Sequence, residues 1–340
     1  MVKFLFKESL AKRAPMRQWP EGFRWTDVGE VRKQKGLTVV EFTGAGSFAD
    51  AFYERQQYEV DAGRDEEPLL YPAIYSQVQD SNLPEVININ TLGPGGVVFE
   101  RVTEGGEVKF LTVGEGSKSV TLYQYATGLE YTQKLIDFNQ TWEFSFIERQ
   151  VGVAYNALMN HIHFNPILAY SYAAANQTAA HSDSDLTLAE LYLRTIEDAI
   201  TNSRTDTTNP RRGPYDLLCS TSDLFMIERA LAQRIQDGAN PAESSAIKMI
   251  RNVIAYDGWT GTRGLLETTY SGVTAGTAYL CNKGYSNMDF RSYVKIPFRR
   301  QQGDGDLSRF IVEQQVFDTW FGVYSNPVAA VEEITWPTGA

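Results

Sequence analysis

The side chains that most often carry reactions are few in this sequence, and their spacing argues against most of the chemistry they could do. There are three histidines. His161 and His163 flank one residue in NHIHF; on a helix such positions point roughly 200° apart, so the two rings do not converge on one metal ion. They read instead as end-of-helix residues facing the last carbonyls. His181 in AAHSDSD could join Asp183 and Asp185, but the stretch reads as a solvated linker. Asp304-Gly305-Asp306 has the opening of a calcium loop, yet that loop needs a glycine sixth and a carboxylate twelfth from its start, where this chain has Arg309 and Gln315. A turn is the better reading. Cys219 and Cys281 sit in the apolar runs DLLCS and AYLCN and read as two buried thiols, too few for a disulfide framework and suited to a reducing cytosol. Arg211-Arg212, bracketed by prolines in NPRRGP, could touch phosphate or a neighbouring subunit's carboxylate, or simply be solvated.

Sequence motifs add nothing catalytic. There is no phosphate loop ending in Lys-Ser or Lys-Thr, no GxGxxG after a strand and no GxSxG elbow. General acid/base work would fall to carboxylates or tyrosines, which no spacing marks. A carboxylate-based glycosidase is admitted by 42 acidic residues and by 6 Trp, 18 Tyr and 18 Phe, but their order does not support one. The reading is therefore of no catalytic residue, no cofactor and no metal.

The elements that would position any site come in a definite order. Residues 1–40 mix Pro15, Pro20, Trp19, Trp25 and scattered cations without sustained periodicity, as an extended arm that needs a partner surface for its aromatics. Residues 41–85 are an elaboration with no clear place, including a short helix over Ser47–Val60 that the acidic run before Pro68 ends. Residues 86–125 read as strands (EVININ, VVFERV, EVKFLTV, SVTLYQY). Gly105-Gly106 supplies a two-residue hairpin turn, because glycine accepts the positive φ of primed turns. That hairpin carries Glu100, Arg101, Glu104, Glu107 and Lys109, more charge than a pair buried on both faces could hold, so it should project.

From 141 to 163 Ile147, Val151, Ala154, Leu158 and Ile162 recur at helical spacing, with Pro166 as the stop. After a linker at 176–185, Thr187 and Glu190 form a capping box. Leu188, Leu191, Thr195, Ile196, Ala199 and Ile200 share one face of the helix it opens. The strand YDLLC, a helix from Ser222 to about Gln236 and strands at NVIAY and TAYLC make 186–285 an α/β insert. Finally DFRSYVKIPF places Phe290, Val294, Ile296 and Phe298 on one face, and the long strands SRFIVEQQVFDTWFGVY and VAAVEEITW follow. The fold class is α+β.

Composition sets the outer limits. Hydrophobic residues make up 43% and charged residues 21%, which excludes disorder and fibrous repeats for the chain as a whole. No run approaches the ~18 apolar residues that a membrane-spanning helix needs, and MVKFLFKESL breaks any secretory core with charge. The net charge of −11 is uneven: residues 1–35 hold nine basic and four acidic residues, leaving 22 basic and 38 acidic for the rest. An acidic body of this kind does not coat nucleic acid, and the basic arm suits either an acidic protein surface or nucleic acid.

Taken in order from about residue 85 to the C-terminus, the segments resemble the major capsid protein of tailed phages of the Hong Kong 97 type. LGPGGVVFERVTEGGEVKF resembles the extended β-hairpin, or E-loop, of that family. SVTLYQYATGLEYTQKLIDFNQ is similar to the lead into its spine helix, here TWEFSFIERQVGVAYNALMNHI. YDLLCSTSDLFMIERAL and NVIAYDGW resemble its axial domain, and SRFIVEQQVFDTWFGVYSNPVAAVEEITW the strand pair that closes its peripheral domain.

The resemblance implies an N-terminal arm (1–40), an E-loop with its lead-in strand (86–125), a peripheral domain (126–185 and 286–340) around a spine helix at 141–163, and an inserted axial domain (186–285). It implies a structural subunit, not an enzyme, that tiles as hexamers and pentamers into an icosahedral shell around double-stranded DNA, the virion capsid, assembled in the host cytoplasm. The partners implied are further copies of itself, a separate scaffolding protein, a portal, a decoration protein and DNA held without sequence preference, with no membrane. The alternative is an encapsulin-like nanocompartment of the same fold enclosing protein cargo.

Residues expected at contacts between subunits are Glu100, Arg101, Glu104, Gly105, Gly106, Glu107, Lys109, Trp19, Trp25, Arg211 and Arg212. Some members of the family cross-link a hairpin lysine to an asparagine on a closing strand, with a glutamate as base. Registering SNPVAAVEE against that strand puts those positions near Phe310 and Phe317, which are inert, so Lys109 and Lys118 are expected to stay unlinked. Glu313 and Asn326 are the nearest substitutes.

Overall fold

The computed structural model describes residues 58–89, 118–132, 141–207, 209–232, 234–237, 240–243, 248–263, 266–282, 289–304 and 311–338. The chain divides into two units, Met1–Asp61 and Ala62–Ala340. In the first, residues 58–61 are described and are helical; everything below concerns the second. The E-loop candidates and the arm's Trp19 and Trp25 lie outside the described residues.

In chain order the elements are β1 (Ser76–Gln79), β2 (Val86–Ile89), β3 (Lys118–Thr121), β4 (Tyr123–Thr132), α1 (Thr141–Leu168), β5 (Gln177–Thr178), α2 (Leu188–Thr205), β6 (Tyr215–Cys219), α3 (Thr221–Ala232), β7 (Arg234–Asp237) and β8 (Asn240–Glu243). There follow β9 (Ile250–Ala255), β10 (Gly258–Arg263), β11 (Leu266–Ser271), β12 (Thr277–Asn282), β13 (Phe290–Asp304), β14 (Ile311–Ser325), α4 (Pro327–Ala330) and β15 (Val331–Thr335). A four-stranded sheet runs β1-β13-β14-β4 and a five-stranded sheet β5-β15-β12-β6-β9; β2-β3, β7-β8 and β10-β11 are separate pairs.

The five-stranded sheet is covered on both faces, so its central strands are largely apolar, with Asp216 of β6 and Glu332 of β15 buried among them. All five residues of β6 are buried. Their alternation divides them: Leu218 joins Ile254, Tyr279, Cys281 and Val331 against Phe164 and Ile167 of α1, while Leu217 and Cys219 join Ala278, Leu280 and Ile334 against α2 and α3. α2 is opened by the expected capping box, in which Thr187 Oγ1 accepts from the Glu190 N–H and the Glu190 carboxylate accepts from the Thr187 N–H. Thr195, Ile196, Ala199 and Ile200 are buried as the spacing predicts.

Three expectations are corrected. The long helix does not stop before Pro166 but runs to Leu168. Proline removes one donor only, and so late in a helix the turn is completed by the Ala169 N–H donating to the Asn165 carbonyl. The helix from Ser222 ends at Ala232, because Arg234–Asp237 pairs instead with Asn240–Glu243 as a hairpin. The closing strand pair is split: β14 lies in the four-stranded sheet, but β15 crosses into the five-stranded one between β12 and β5. Residues 331–335 therefore pack with 186–285, not with the sheet that β13 and β14 form.

Residues 62–79, which had no place in the sequence reading, form a strap along α1 that ends as the edge strand β1, parallel to β13. It starts at Gly63, where a Cβ would come within 1.9 Å of the Arg149 carbonyl oxygen, so only glycine allows so close an approach to the helix.

Candidate functional site

The polar side chains that bind one element to another are the natural place to look for chemistry, and several of them hold backbone or countercharge. Along α1, Arg149 grips Glu66 with two hydrogen bonds of 2.8 and 2.7 Å. Two turns further on, Asn156 Nδ2 donates to the carbonyls of Arg64 and Glu67. Asn160 then donates to the Pro68 carbonyl at 2.9 Å and accepts from the Leu70 N–H at 2.8 Å. His163 ends the series. Its ring stacks on Tyr71 with centroids 3.7 Å apart, and its nitrogens contact the Met159 carbonyl (2.6 Å) and Ser292 Oγ on β13 (2.9 Å). Tyr75 donates to the His163 carbonyl. Burial pushes the His163 imidazole down to about 3, so it sits neutral between helix, strap and sheet.

Sequence reading took Ile147, Val151, Ala154, Leu158 and Ile162 as the buried face of this helix. Val151 is buried, but Ile147 is exposed and the other three are half-buried. The stripe Asn156, Asn160, His163, spaced four and three apart, is buried instead. That spacing was visible; polar residue types disguised it.

A second cluster lies where α2 ends. Arg211 is 1% exposed, and its Nη2 lies 3.2 Å from Asp206 Oδ2 and 2.9 Å from Glu332 Oε2, while Nη1 donates to the Val331 carbonyl. Thr178 Oγ1 donates to Glu332 Oε1 at 2.7 Å. Burial raises the Glu332 carboxyl above its ordinary range, against the pull of Thr178 and Arg211. Two carboxylates thus share one guanidinium inside the protein. The candidate contact residue Arg211 is accordingly neither a solvated loop residue nor open to another subunit: its own chain surrounds it. Arg212, next to it, is exposed.

Two further carboxylates are paired in the same manner. Asp216 on β6 takes Arg251 and Asn252 of β9, and Arg251 also donates to the Ala73 carbonyl of the strap at 2.7 Å. Asp318 on β14 accepts from Arg299, Gln124 and Gln301, and the Arg299 guanidinium holds its carboxyl below the usual range. His181 pairs with Asp198 at 2.8 Å, not with Asp183 or Asp185. His161 stacks on Tyr270 of β11, 4.4 Å between centroids, on a different side of α1 from His163. Asp304 ends β13, and Gly305 and Asp306 lie outside the described residues. Burial pushes the Cys219 thiol up to about 12 and raises Cys281 as well, so neither offers a ready thiolate. Among the described residues no group of three or more His, Cys, Asp or Glu could hold a metal ion.

Lys118 Nζ donates to Asn326 Oδ1 at 3.0 Å, and Asn326 Nδ2 donates to Asp289 Oδ1. Lysine, carboxamide and carboxylate meet here within one chain, in a contact open to solvent where the dry wall that amide exchange requires is missing. Phe317, the position registered for a base, is buried at 3%; Phe310 lies outside the described residues.

What remains exposed is apolar in places. Phe146 and Ile147 on α1, Tyr123 on β4, Val316 on β14 and Phe225 on α3 all stand in solvent.

Neither a family model nor a curated protein matches the sequence. Solved structures do. The capsid of Myoviridae phage XM1 aligns with a TM-score of 0.51 at 10% identity, over 79% of this chain and 92% of that one. The chain has the Hong Kong 97-type capsid fold. The mature capsid of bacteriophage PhiM1 (TM-score 0.47, 13% identity, 80% of this chain and 88% of that one) and a virus-like particle from Pyrococcus furiosus (0.49, 9%, 82% and 97%) are also similar.

Proposed function

We propose that the chain is the major capsid subunit of a tailed phage, tiling as hexamers and pentamers into an icosahedral shell that encloses double-stranded DNA. The observation that carries this reading is the alignment with the phage XM1 capsid over most of both chains. The internal use of buried Asn160, Glu332 and Asp216 supports it, because these groups position backbone or take a countercharge from their own chain. In this reading α1 is the spine helix, the four-stranded sheet the core of the peripheral domain, and the five-stranded sheet the core of the axial domain. Glu100, Arg101, Glu104, Gly105, Gly106, Glu107 and Lys109 on the E-loop, Trp19 and Trp25 on the arm, and exposed Arg212 are its contacts with neighbouring copies. Scaffold, portal and decoration proteins are the further partners, and the acidic body keeps the wall from gripping packaged DNA.

Electron microscopy of the purified chain, with absorbance compared at 260 and 280 nm, tests this. Shells carrying nucleic acid are expected. A purely monomeric species at every salt concentration, with or without scaffold, would overturn the reading; shells filled with protein would transfer it to a nanocompartment. Deleting Thr103–Glu107 should block shell formation while leaving the melting transition nearly unchanged.

A further inference from the structure

Among the described residues strand β4 forms an edge of the four-stranded sheet, and its partner on the inner side is β14, in a ladder regular from Tyr123↔Phe321 to Tyr131↔Glu313. Six residues between 123 and 130 are exposed, namely Tyr123, Gln124, Ala126, Thr127, Gly128 and Glu130. Natural sheets protect such edges with lysines, prolines, bulges or very short strands. β4 is ten residues long, reads YQYATGLEYT, and has one charge, Glu130. No described strand pairs with its outer side, and a row of backbone donors and acceptors of this length is a site for strand addition.

The strand's own sequence identifies what fits there. When two copies pair edge to edge about a two-fold axis perpendicular to the sheet, the pleat requires that axis to pass through a residue opposite itself, since partners across a ladder point to the same face. Two registers give the longest overlap, nine residues or about 30 Å. Centred on Thr127, the pairing sets Thr127 against Thr127, Ala126 against Gly128, Tyr125 against Leu129, and Gln124 against Glu130. Each is a favourable or neutral cross-strand pair, and the strand's one charge meets a carboxamide rather than its own copy. Centred on Gly128, it sets two glycines at the axis and Ala126 against Glu130.

We propose that β4 is an interface between two copies of this chain, paired antiparallel through Thr127 so that two four-stranded sheets join into one continuous sheet. This goes beyond the capsid reading and does not depend on it.

Cysteine cross-linking of the full chain tests the proposal, because Cys219 and Cys281 are fully buried and the positions used are exposed. In the proposed register two Thr127→Cys side chains lie directly opposite, within reach of a disulfide, whereas two Tyr123→Cys side chains lie about 27 Å apart. Mild oxidation should give disulfide-linked dimers from Thr127→Cys at least fivefold more than from Tyr123→Cys. Gln124→Cys and Glu130→Cys chains should link when mixed and not separately. Equal yields at 127 and 123, no linkage in the mixture, or cross-links mapped from β4 to another segment would overturn it. Dimers without shells would leave this interface standing and remove the capsid reading; shells without the Thr127 link would do the reverse.

Discussion

In the five-stranded sheet both faces carry a layer, α1 and the strap on one side, α2 and α3 on the other, and β6 has no exposed residue. In the four-stranded sheet the layer thins along the strands until, at β4, most residues stand in solvent. The polar groups follow the same division. Arg211 and Glu332 are sealed inside the first sheet's surroundings, while Arg299, which pairs with Asp318 on the second, keeps 45% of its side chain exposed. A sheet covered twice is satisfied by its own chain. One covered once has hydrogen-bonding and apolar surface left over, and that surplus is what assembly with other chains needs.

The largest effect that would break this contrast is at Arg211. Arg211→Ala leaves Asp206 and Glu332 without their shared countercharge and is expected to cost about 3–5 kcal/mol in chemical denaturation, or to prevent folding. Arg299→Ala should cost about 1 kcal/mol or less, since the Arg299 side chain is half open to water and Gln124 and Gln301 still serve Asp318. Equal losses would mean that the two sheets are not held differently.

Acidity probes the junction between them. The unfolded chain protonates a histidine near pH 6.5, but folded His163 does so only at about 3. Stability should therefore be complete above 6.5 and decline as pH falls through that window, by about 3 kcal/mol at pH 4.5 from this residue alone. Glu332, whose folded carboxyl is raised, works with the opposite sign and gains as pH falls. The difference between the wild-type chain and His163→Gln, followed by thermal melts from pH 7.5 to 4.5, isolates the histidine; parallel curves would refute its assignment.

Smaller again, Asn160→Ala leaves the Pro68 carbonyl and the Leu70 N–H of the strap unpartnered and should cost about 2 kcal/mol. Phe146→Ser on the exposed side of the same helix should change stability by no more than about 0.5 kcal/mol. A reversal of that order would mean that the strap is not what the polar stripe holds. The least visible outcome concerns covalent bonds. Boiled particles should run as a single band near 38.2 kDa, with no ladder of multimers and no loss of ammonia in the intact mass, because Lys118 and Asn326 meet in water within one chain.

How legible all this is in the sequence depends on how local each signal is. Thr187 and Glu190 announce α2 because a capping box is complete within four residues, and YDLLC announces β6 because a strand buried on both faces has no polar alternation to hide. The strap was not legible. Asn156, Asn160 and His163 look like an outer face, and only their partners at 64–75, some 90 residues away, reveal them as an inner one. Glu332 in VEEIT likewise reads as the wet side of a strand. Its burial depends on Arg211, 121 positions earlier, which the prolines of NPRRGP made look like a loop cation. Resemblance supplied the order of the elements and the fold, but not which sheet the last strand would enter.

That last strand also sets a timetable. β15 lies between β5 and β12, and the Thr178–Glu332 contact joins residues 154 positions apart; Gln124 meets Asp318 across 194. Neither sheet can close until a long stretch of chain has been synthesised, and contacts so distant along the chain fold slowly because loop-closure entropy precedes any reward. Until residue 335 has left the ribosome, Arg211 waits without Glu332, and β12 presents an open edge to every neighbouring nascent chain. A message broken between Asn282 and Val331 would yield a fragment with that edge permanently bare, which is a substrate for proteases and chaperones rather than a building unit.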